Sequence, residues 1–455
     1  IRSFLPAERV CHMAEAVKRV FDAHGDRKHR NRARLRFVAA RFGEDGFREL
    51  ISDAYEEVCR EGIDAVPARP GCIKDLTGEH TASLPPAASA QHTPGLYALH
   101  ITPGKGNLPA SAARRIAEIA ETHAADVRLT TEQDLLLQNV RGQDIANVAD
   151  EVTQIRDDLL RSDRGPRLVV CPGPTTCRLG ICRSRDLADA VSATFRKELP
   201  EAAAVVPRIA ISGCPNACGQ HPVALLGFSG QAKRVEGRLT PFYKVWVGSR
   251  KSPEPELARV VGTLPAKNVP AFAAALAERL TALREDTESP SSEVLREGAD
   301  TWVKQILDAY TAVPAYETAP DYYRDWGATD TFSLAGRSHG ECGAGVMDAV
   351  KADLDKADSD LQRFDDTGDS AALYQAAVAA MRGILCLRGV DTRNEEEIRS
   401  AFVKHFVHPG WVSPEAEELL ARFEDGGESF SAETLSDLSE GVKALVKRIH
   451  VLYRS

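Results

Sequence analysis

The sequence predicts a mixed α/β (α+β) chain closed by an all-α bundle, and three observations predict it. Strand-like and helix-like periodicities alternate from "LYALHIT" to "QDIANVADEVTQI". Two β-rich runs, "RLVVC" and "RIAISGC", each lead straight into a cysteine. Beyond about residue 344 the apolar residues recur only at helical spacing.

The opening stretch from "AERVCHMAEAV" to "ISDAYEEV" has helical periodicity broken at Gly25 and Gly43, which predicts three consecutive helices over residues 1–65. Prolines 67, 70, 85, 86 and 94 mark a linker or extended crossing segment. Residues 66–150 then read strand "LYALHIT", helix "ASAARRIAEIAETHA", strand pair "DVRLTTEQDLLLQNV" and helix "QDIANVADEVTQI". That order is the cadence of a ferredoxin-like unit. Residues 151–284 carry the two strand-to-cysteine runs, and cysteines at strand ends stand where α/β sites form. The polar stretch "REDTESPSSEV" predicts a second linker, and residues 285–455 a helical bundle.

A chain of 455 residues exceeds one ordinary core, so two to four domains are expected. Its net charge of −9 argues against a general nucleic-acid binder. Ten cysteines are too few for a disulfide scaffold, and their clustering favours a reducing, cytoplasmic setting with one metal site. No run of about 18 apolar residues predicts a membrane span. The chain begins at Ile1 rather than methionine, which suggests that its natural start lies upstream.

In "SGCPNACGQH", Pro215 suits the first position of a helix, which would stack Cys214 and Cys218 on one face. Two such thiols can share a metal or cluster, form a strained disulfide, or be small buried hydrophobes. Cys171-x5-Cys177 joined to Cys214-x3-Cys218 fits zinc spacing poorly, and four thiolates of mixed spacing suit an iron–sulfur cluster better. The surrounding glycines and prolines leave backbone amides free to meet sulfur. Cys182 reads as a core or supporting thiol, and Cys342 as a buried residue in a Gly-rich turn.

The pairing of "CPGPTTCRLGI" with "ISGCPNACGQH", followed by "ALLGFSG", resembles the sirohaem and 4Fe-4S dependent nitrite/sulfite reductases. The resemblance covers residues 1 to about 280 and includes "DVRLTTEQDLLLQNV", similar to the segment that lines sirohaem in the family's second repeat. It implies that residues 151–284 are the sirohaem and 4Fe-4S binding domain. Cys171, Cys177, Cys214 and Cys218 would be the cluster ligands, with Cys218 the bridge to the sirohaem iron and so the catalytic residue. It further implies that residues 1–65 are the helical end of a preceding first-repeat domain, making this chain the C-terminal portion of a reductase. Asp134, where the family commonly has asparagine, and "VGSR", where Gly-Gly is usual, depart from the pattern.

Sirohaem is polyanionic, and Arg128, Gln133 and Asn216 are the candidates here to meet it. The implied chemistry is six-electron reduction of sulfite to sulfide or nitrite to ammonia, sulfite marginally first. The partners would be a ferredoxin-type donor and a small oxyanion, with no nucleic acid and no membrane. An iron–sulfur electron-transfer or interaction subunit without its own substrate site is the alternative, and a helical interaction protein a third. His221 reads as a capping or packing residue, and the basic run "DRKHRNRARLR" as a solvated face rather than a donor dock. The tail resembles a HEPN-like helical extension, in which Arg399 and His405 have a nuclease-like spacing too weak to carry that activity.

Overall fold

The computed structural model describes residues 4–28, 33–62, 78–81, 83–160, 166–199, 205–251, 254–285, 289–334, 344–425 and 432–454. Cys342, the first part of the first linker and part of the basic run lie outside them. The described chain forms two compact units, residues 1–75 and 76–454. In the first, α1 (Val10–His24) and α2 (Leu35–Glu61) pair through Val20, Val38 and Ile51 on one side and Ala16, Tyr55 and Val58 on the other. Gly43 breaks the helical path of α2 at φ +72°, a backbone region open to glycine, so the predicted interruption falls where expected.

The second unit begins with a four-stranded antiparallel sheet in the order β1-β2-β4-β3: Ala88–Ala90, Leu96–Ile101, Leu135–Arg141 and Asp126–Leu129. The end of the predicted linker thus supplies a strand. Strands β2 and β3 run parallel on either side of β4, joined over the sheet by α3 (Ala110–Thr122), which makes a split β-α-β. Ile116 and Ile119 of α3 and Val148 and Val152 of α4 (Ile145–Ile155) cover Leu99, Ile101 and Leu137. Their 3-to-4-residue spacing is the helical match to the alternation of the strands.

A five-stranded sheet follows in sequence order: β5 (Arg167–Val170), β6 (Arg208–Ser212), β7 (Leu226–Val235), β8 (Arg238–Val247) and β9 (Arg259–Pro265). The first three are parallel, joined by a crossover through α5 (Ser184–Glu198), and the last three antiparallel. Leu187, Val191 and Phe195 of α5 and Phe272, Leu276 and Leu280 of α6 (Val269–Glu285) fill its core.

That core continues past the expected boundary at residue 285. Leu295 of α7 (Ser291–Glu297), which starts inside the predicted second linker, belongs to it, as do Val303 and Leu307 of α8 (Trp302–Ala309). Phe332 and Leu334, on the extended stretch that follows, complete it. A separate apolar core starts at Val350 within α9 (Ala344–Thr367) and joins α10 (Ser370–Cys386), α11 (Glu395–Phe402), α12 (Glu415–Asp425) and α13 (Ala432–Arg454). Arg399 lies on α11 and His405 in the π-helical turn Val403–Val407 that extends it. The bundle meets the sheet through charge: Arg234 of β7 reaches the buried Asp353 of α9 at 2.8 Å, and Arg382 of α10 reaches the same carboxylate at 2.6 Å. No described helix is long and apolar enough to cross a membrane.

Candidate metal centre

Parallel neighbours β5 and β6 end at the same edge of the sheet, and each hands over to a cysteine loop. The Cys171 amide still donates to Ile211 at 3.0 Å, so the ladder lasts to the first ligand candidate. The second loop does not form the expected helix. From Gly213 to Gln220 the chain makes successive turns, with Ala217 at φ +58° and Gln220 at φ +63°. A left-handed alanine cannot continue an α-helical ladder, so the Pro215 signal is overridden. Cys214 and Cys218 therefore do not stack: Cys214 is buried and Cys218 exposed.

The first loop turns at once through a 3-10 segment, Gly173–Thr175, and the Cys177 amide closes it on the Gly173 carbonyl at 2.9 Å. The amides of Ile181 and Cys182 both donate to the Gly213 carbonyl, at 2.9 and 2.8 Å, which stitches the loops together. The Gly213 amide in turn donates to Cys171 Sγ at 3.0 Å. Gly213 is required here because a Cβ would stand 2.4 Å from the Cys182 carbonyl oxygen. Cys182 is fully buried behind the loops, its thiol facing the carbonyls of Gln231 and Phe242, which fits the reading of it as a core thiol.

Burial pushes the Cys214 thiol up to about 11. The Asn216 backbone amide opposes that shift, and the fields of Cys171, Cys218 and Cys177 add to it. The other three cysteines of the motif thus lie within electrostatic reach of Cys214. Among the described residues no three His, Cys, Asp or Glu side chains converge as ligands of a single ion must. A four-iron cluster asks less, since each thiolate takes its own iron and the four need only face a common space. The donor set, the amides aimed at sulfur and the glycine-limited approach fit such a group.

The other expected contacts are placed differently. Gln133, at φ +67°, spends its side chain on the strand that leads to Cys171: Nε2 donates to the Val170 carbonyl at 2.8 Å and the Val170 amide donates to Oε1 at 3.0 Å. Asn216 addresses the cysteines through its backbone. Arg128 is exposed on β3, in register with Leu136 and, one strand further, His100. The beginnings of β5 and β6 are tied by Glu132, which pairs with Arg167 and, at 2.9 Å, with Arg208. Burial alone would raise the Glu132 carboxyl, but these two arginines hold it below its usual value. Asp134 beside it is 3% exposed, and burial lifts its carboxyl to about 6 even though Arg167 stands 3.1 Å away. That oxygen has no hydrogen-bond partner, so the pair is close but misaligned.

Sequence reasoning missed Ser184 at the start of α5, whose hydroxyl donates to the Cys171 carbonyl at 2.8 Å and lies 3.3 Å from Cys171 Sγ. It also missed Ser212, which accepts the Gly219 amide at 3.0 Å and meets His221 Nδ1 at 2.8 Å. Burial, aided by Lys244, lowers His221 to about 4, so the ring is neutral near pH 7 and its tautomer sets which of Nδ1 and the Ser212 hydroxyl donates. His221 packs against Trp246 with ring centroids 4.9 Å apart, in keeping with its expected packing role. A serine two residues after Cys182 and a Ser-Gly before Cys214 are the only sequence hints of these contacts.

Comparison with known proteins points the same way. The "Nitrite/Sulfite reductase ferredoxin-like half domain" matches residues 89–155, the span of β1 to α4. The "Nitrite and sulphite reductase 4Fe-4S domain" matches residues 1–58, a stretch that holds none of the four clustered cysteines. Ferredoxin–nitrite reductase of Synechococcus elongatus is 25% identical over 256 residues, 55% of this chain and 47% of the relative. The sulfite reductase [NADPH] hemoprotein beta-component of Chromohalobacter salexigens is 28% identical over 240 residues, 51% of this chain and 39% of the relative. The chain spans about half the length of the curated relatives it matches. In fold it resembles the Mycobacterium tuberculosis NirA protein, with TM-score 0.52 and 20% identity over 65% of this chain and 54% of that one. The cofactors expected from the cysteine motif, sirohaem and a 4Fe-4S cluster, agree with these matches. Half-domain, relatives and fold together show that the chain belongs to the nitrite/sulfite reductase family of oxidoreductases.

Proposed function

We propose that this chain is the cluster-bearing portion of a cytoplasmic assimilatory reductase that carries sulfite to sulfide or nitrite to ammonia, sulfite placed first, with a ferredoxin-type donor. The observation that carries the reading is the pair of parallel strand ends whose loops bring Cys171, Cys177 and Cys218 within the field felt by Cys214. These four would hold the 4Fe-4S cluster. Cys218, exposed where Cys171 and Cys214 are buried, is the one whose sulfur can be shared with a sirohaem iron. When bound, the joined cofactors supply single-electron delivery at iron, which a six-electron reduction needs if no partly reduced product is to escape.

The chain's own part is positional and electrostatic. The Gly213 and Asn216 amides donate to sulfur and favour its charged form. Gln133 fixes the height of the Cys171 strand, and Arg128 offers an exposed cation to a carboxylate.

The test is an anaerobic absorption spectrum with an iron and sulfide assay of the chain expressed with a sirohaem supply. Haem-like bands with four irons' worth of sulfide (about four per chain) support the reductase, and rates on sulfite and nitrite then rank the substrates. Iron and sulfide without those bands would favour an electron-transfer subunit. No iron would refute the reading.

A further inference from the structure

The extended stretch between α8 and α9, residues 311–334, binds back across the five-stranded sheet. Trp326 Nε1 donates to the Ala266 carbonyl at 2.8 Å, and the Tyr322 hydroxyl donates to Asn268 at 2.7 Å. Phe332 and Leu334 sink into the core. At its centre Asp325, 4% exposed, accepts the Arg183 amide on Oδ2 at 2.7 Å and the Trp326 amide on Oδ1 at 2.9 Å. The Arg183 guanidinium returns the contact by donating to the Gly327 carbonyl.

Arg183 is the N-cap position of α5 and has no side-chain cap of its own. A carboxylate from 142 residues away therefore does what the N3 acid of a capping box does locally, accepting the N-cap amide where the helix dipole favours negative charge. The next residue, Ser184, is the one whose hydroxyl lies 3.3 Å from Cys171 Sγ. Cys182, just before Arg183, gives its amide to Gly213, whose own amide donates to the same sulfur. Once Cys171 has lost its proton to a ligand bond its sulfur can only accept; it has the Gly213 amide, and the Ser184 hydroxyl, whose one proton here goes to the Cys171 carbonyl, becomes a second donor when it turns to the sulfur 3.3 Å away.

Resting on the cluster reading above, we propose that Asp325 is a positioning residue for the iron–sulfur centre: by capping α5 it aims the Ser184 hydroxyl at Cys171 and so sets the cluster's reduction potential.

The experiment is a double-mutant cycle with Asp325→Asn and Ser184→Ala, reading the cluster midpoint potential and its EPR signal in the full chain reconstituted anaerobically with iron and sulfide. Ser184→Ala removes a donor to sulfur and lowers the potential. Asp325→Asn shifts it enough to change the reduced-to-oxidised ratio about tenfold at fixed potential, ~59 mV for a one-electron couple. The decisive result is coupling: the shift caused by Asp325→Asn differs according to whether Ser184 is present or has been replaced by alanine. An equal shift in both backgrounds would make Asp325 a through-space charge only, and no shift in either would make the stretch mere packing; both overturn the proposal. In the iron-free chain Asp325→Ala raises Cys171 alkylation roughly tenfold, the scale of a lost cap. Asp321→Ala, on the exposed side of the same stretch, leaves that rate unchanged. Unchanged alkylation in Asp325→Ala would refute the idea even if that variant held no cluster. A parent chain that takes up no iron would refute the functional reading and this proposal together, whereas a loaded parent with no coupling refutes only this one.

Discussion

Ser212 is the test of how the second cysteine loop is held. Its hydroxyl is 1% exposed and serves two buried partners at once, accepting the Gly219 amide at 3.0 Å and sharing a hydrogen bond with His221 Nδ1 at 2.8 Å. Ser212→Ala leaves both without a partner where water does not reach, at about 1–3 kcal/mol each. The expected loss is therefore about 2–6 kcal/mol, concentrated where β6 passes into the loop. Native-state hydrogen exchange on peptides from Arg208 to Gly230 reads it directly, as protection factors falling by roughly thirtyfold or more. The neutral ring adds a pH signature. His221 is lowered to about 4 against an ordinary 6.5, so the unfolded chain binds the extra proton between those values and stability rises with pH. The His221 contribution is complete above pH 6.5 and is lost as pH falls towards 4, a span of about 2 kcal/mol after allowance for partial solvation. His221→Gln abolishes that slope. A Ser212→Ala loss below 1 kcal/mol, or an acid slope that persists in His221→Gln, would refute this account.

Three further outcomes follow from the same structure. Asp134 has its carboxyl raised to about 6, so the folded chain holds the extra proton between pH 3.8 and 6 and pays for ionisation above that; Asp134→Asn stabilises by about 1–2 kcal/mol at pH 7, and urea unfolding shows the gain vanishing below pH 4. Asp353, 1% exposed between Arg234 and Arg382, is the hinge of a buried charge cluster; Asp353→Ala strands Arg382 and leaves Arg234 only Asp391 at 3.4 Å, and costs about 3–5 kcal/mol, visible as early melting of the C-terminal helices. In the iron-free chain Cys218 alkylates fastest of the four cluster cysteines, while Cys386, pushed by burial to about 12, stays unmodified until unfolding; loading with iron and sulfide protects Cys218.

What the sequence made legible was everything governed by short spacing. A β-branched run ending at Cys171 and another ending two residues before Cys214 are local patterns, and the strands formed there. The split β-α-β was equally readable because Ile116 and Ile119 repeat at helical spacing while β2 sets Leu99 and Ile101 two apart. Contacts set by distant pairing were not readable. Pro215 is a correct local signal for a helix start, yet the loop is pinned by Gly213 to Cys182 and by Gly219 to Ser212, and under those ties Ala217 turns left-handed. Gln133 was expected to meet sirohaem, but its side chain is spent on Val170, 37 residues later. The boundary near residue 285 failed for a related reason. Leu295, Ala299, Val303 and Leu307 have a spacing that tells which face is apolar, and that face serves a helical bundle or a sheet equally well. Which one covers it is decided by β7 to β9, and in this chain the sheet takes those helices while the bundle begins only at Val350. The helices that a composition-based division gives to the tail are thus part of the same core that holds the cysteine strands, and it is through the stretch following them that Asp325 reaches the cluster loop.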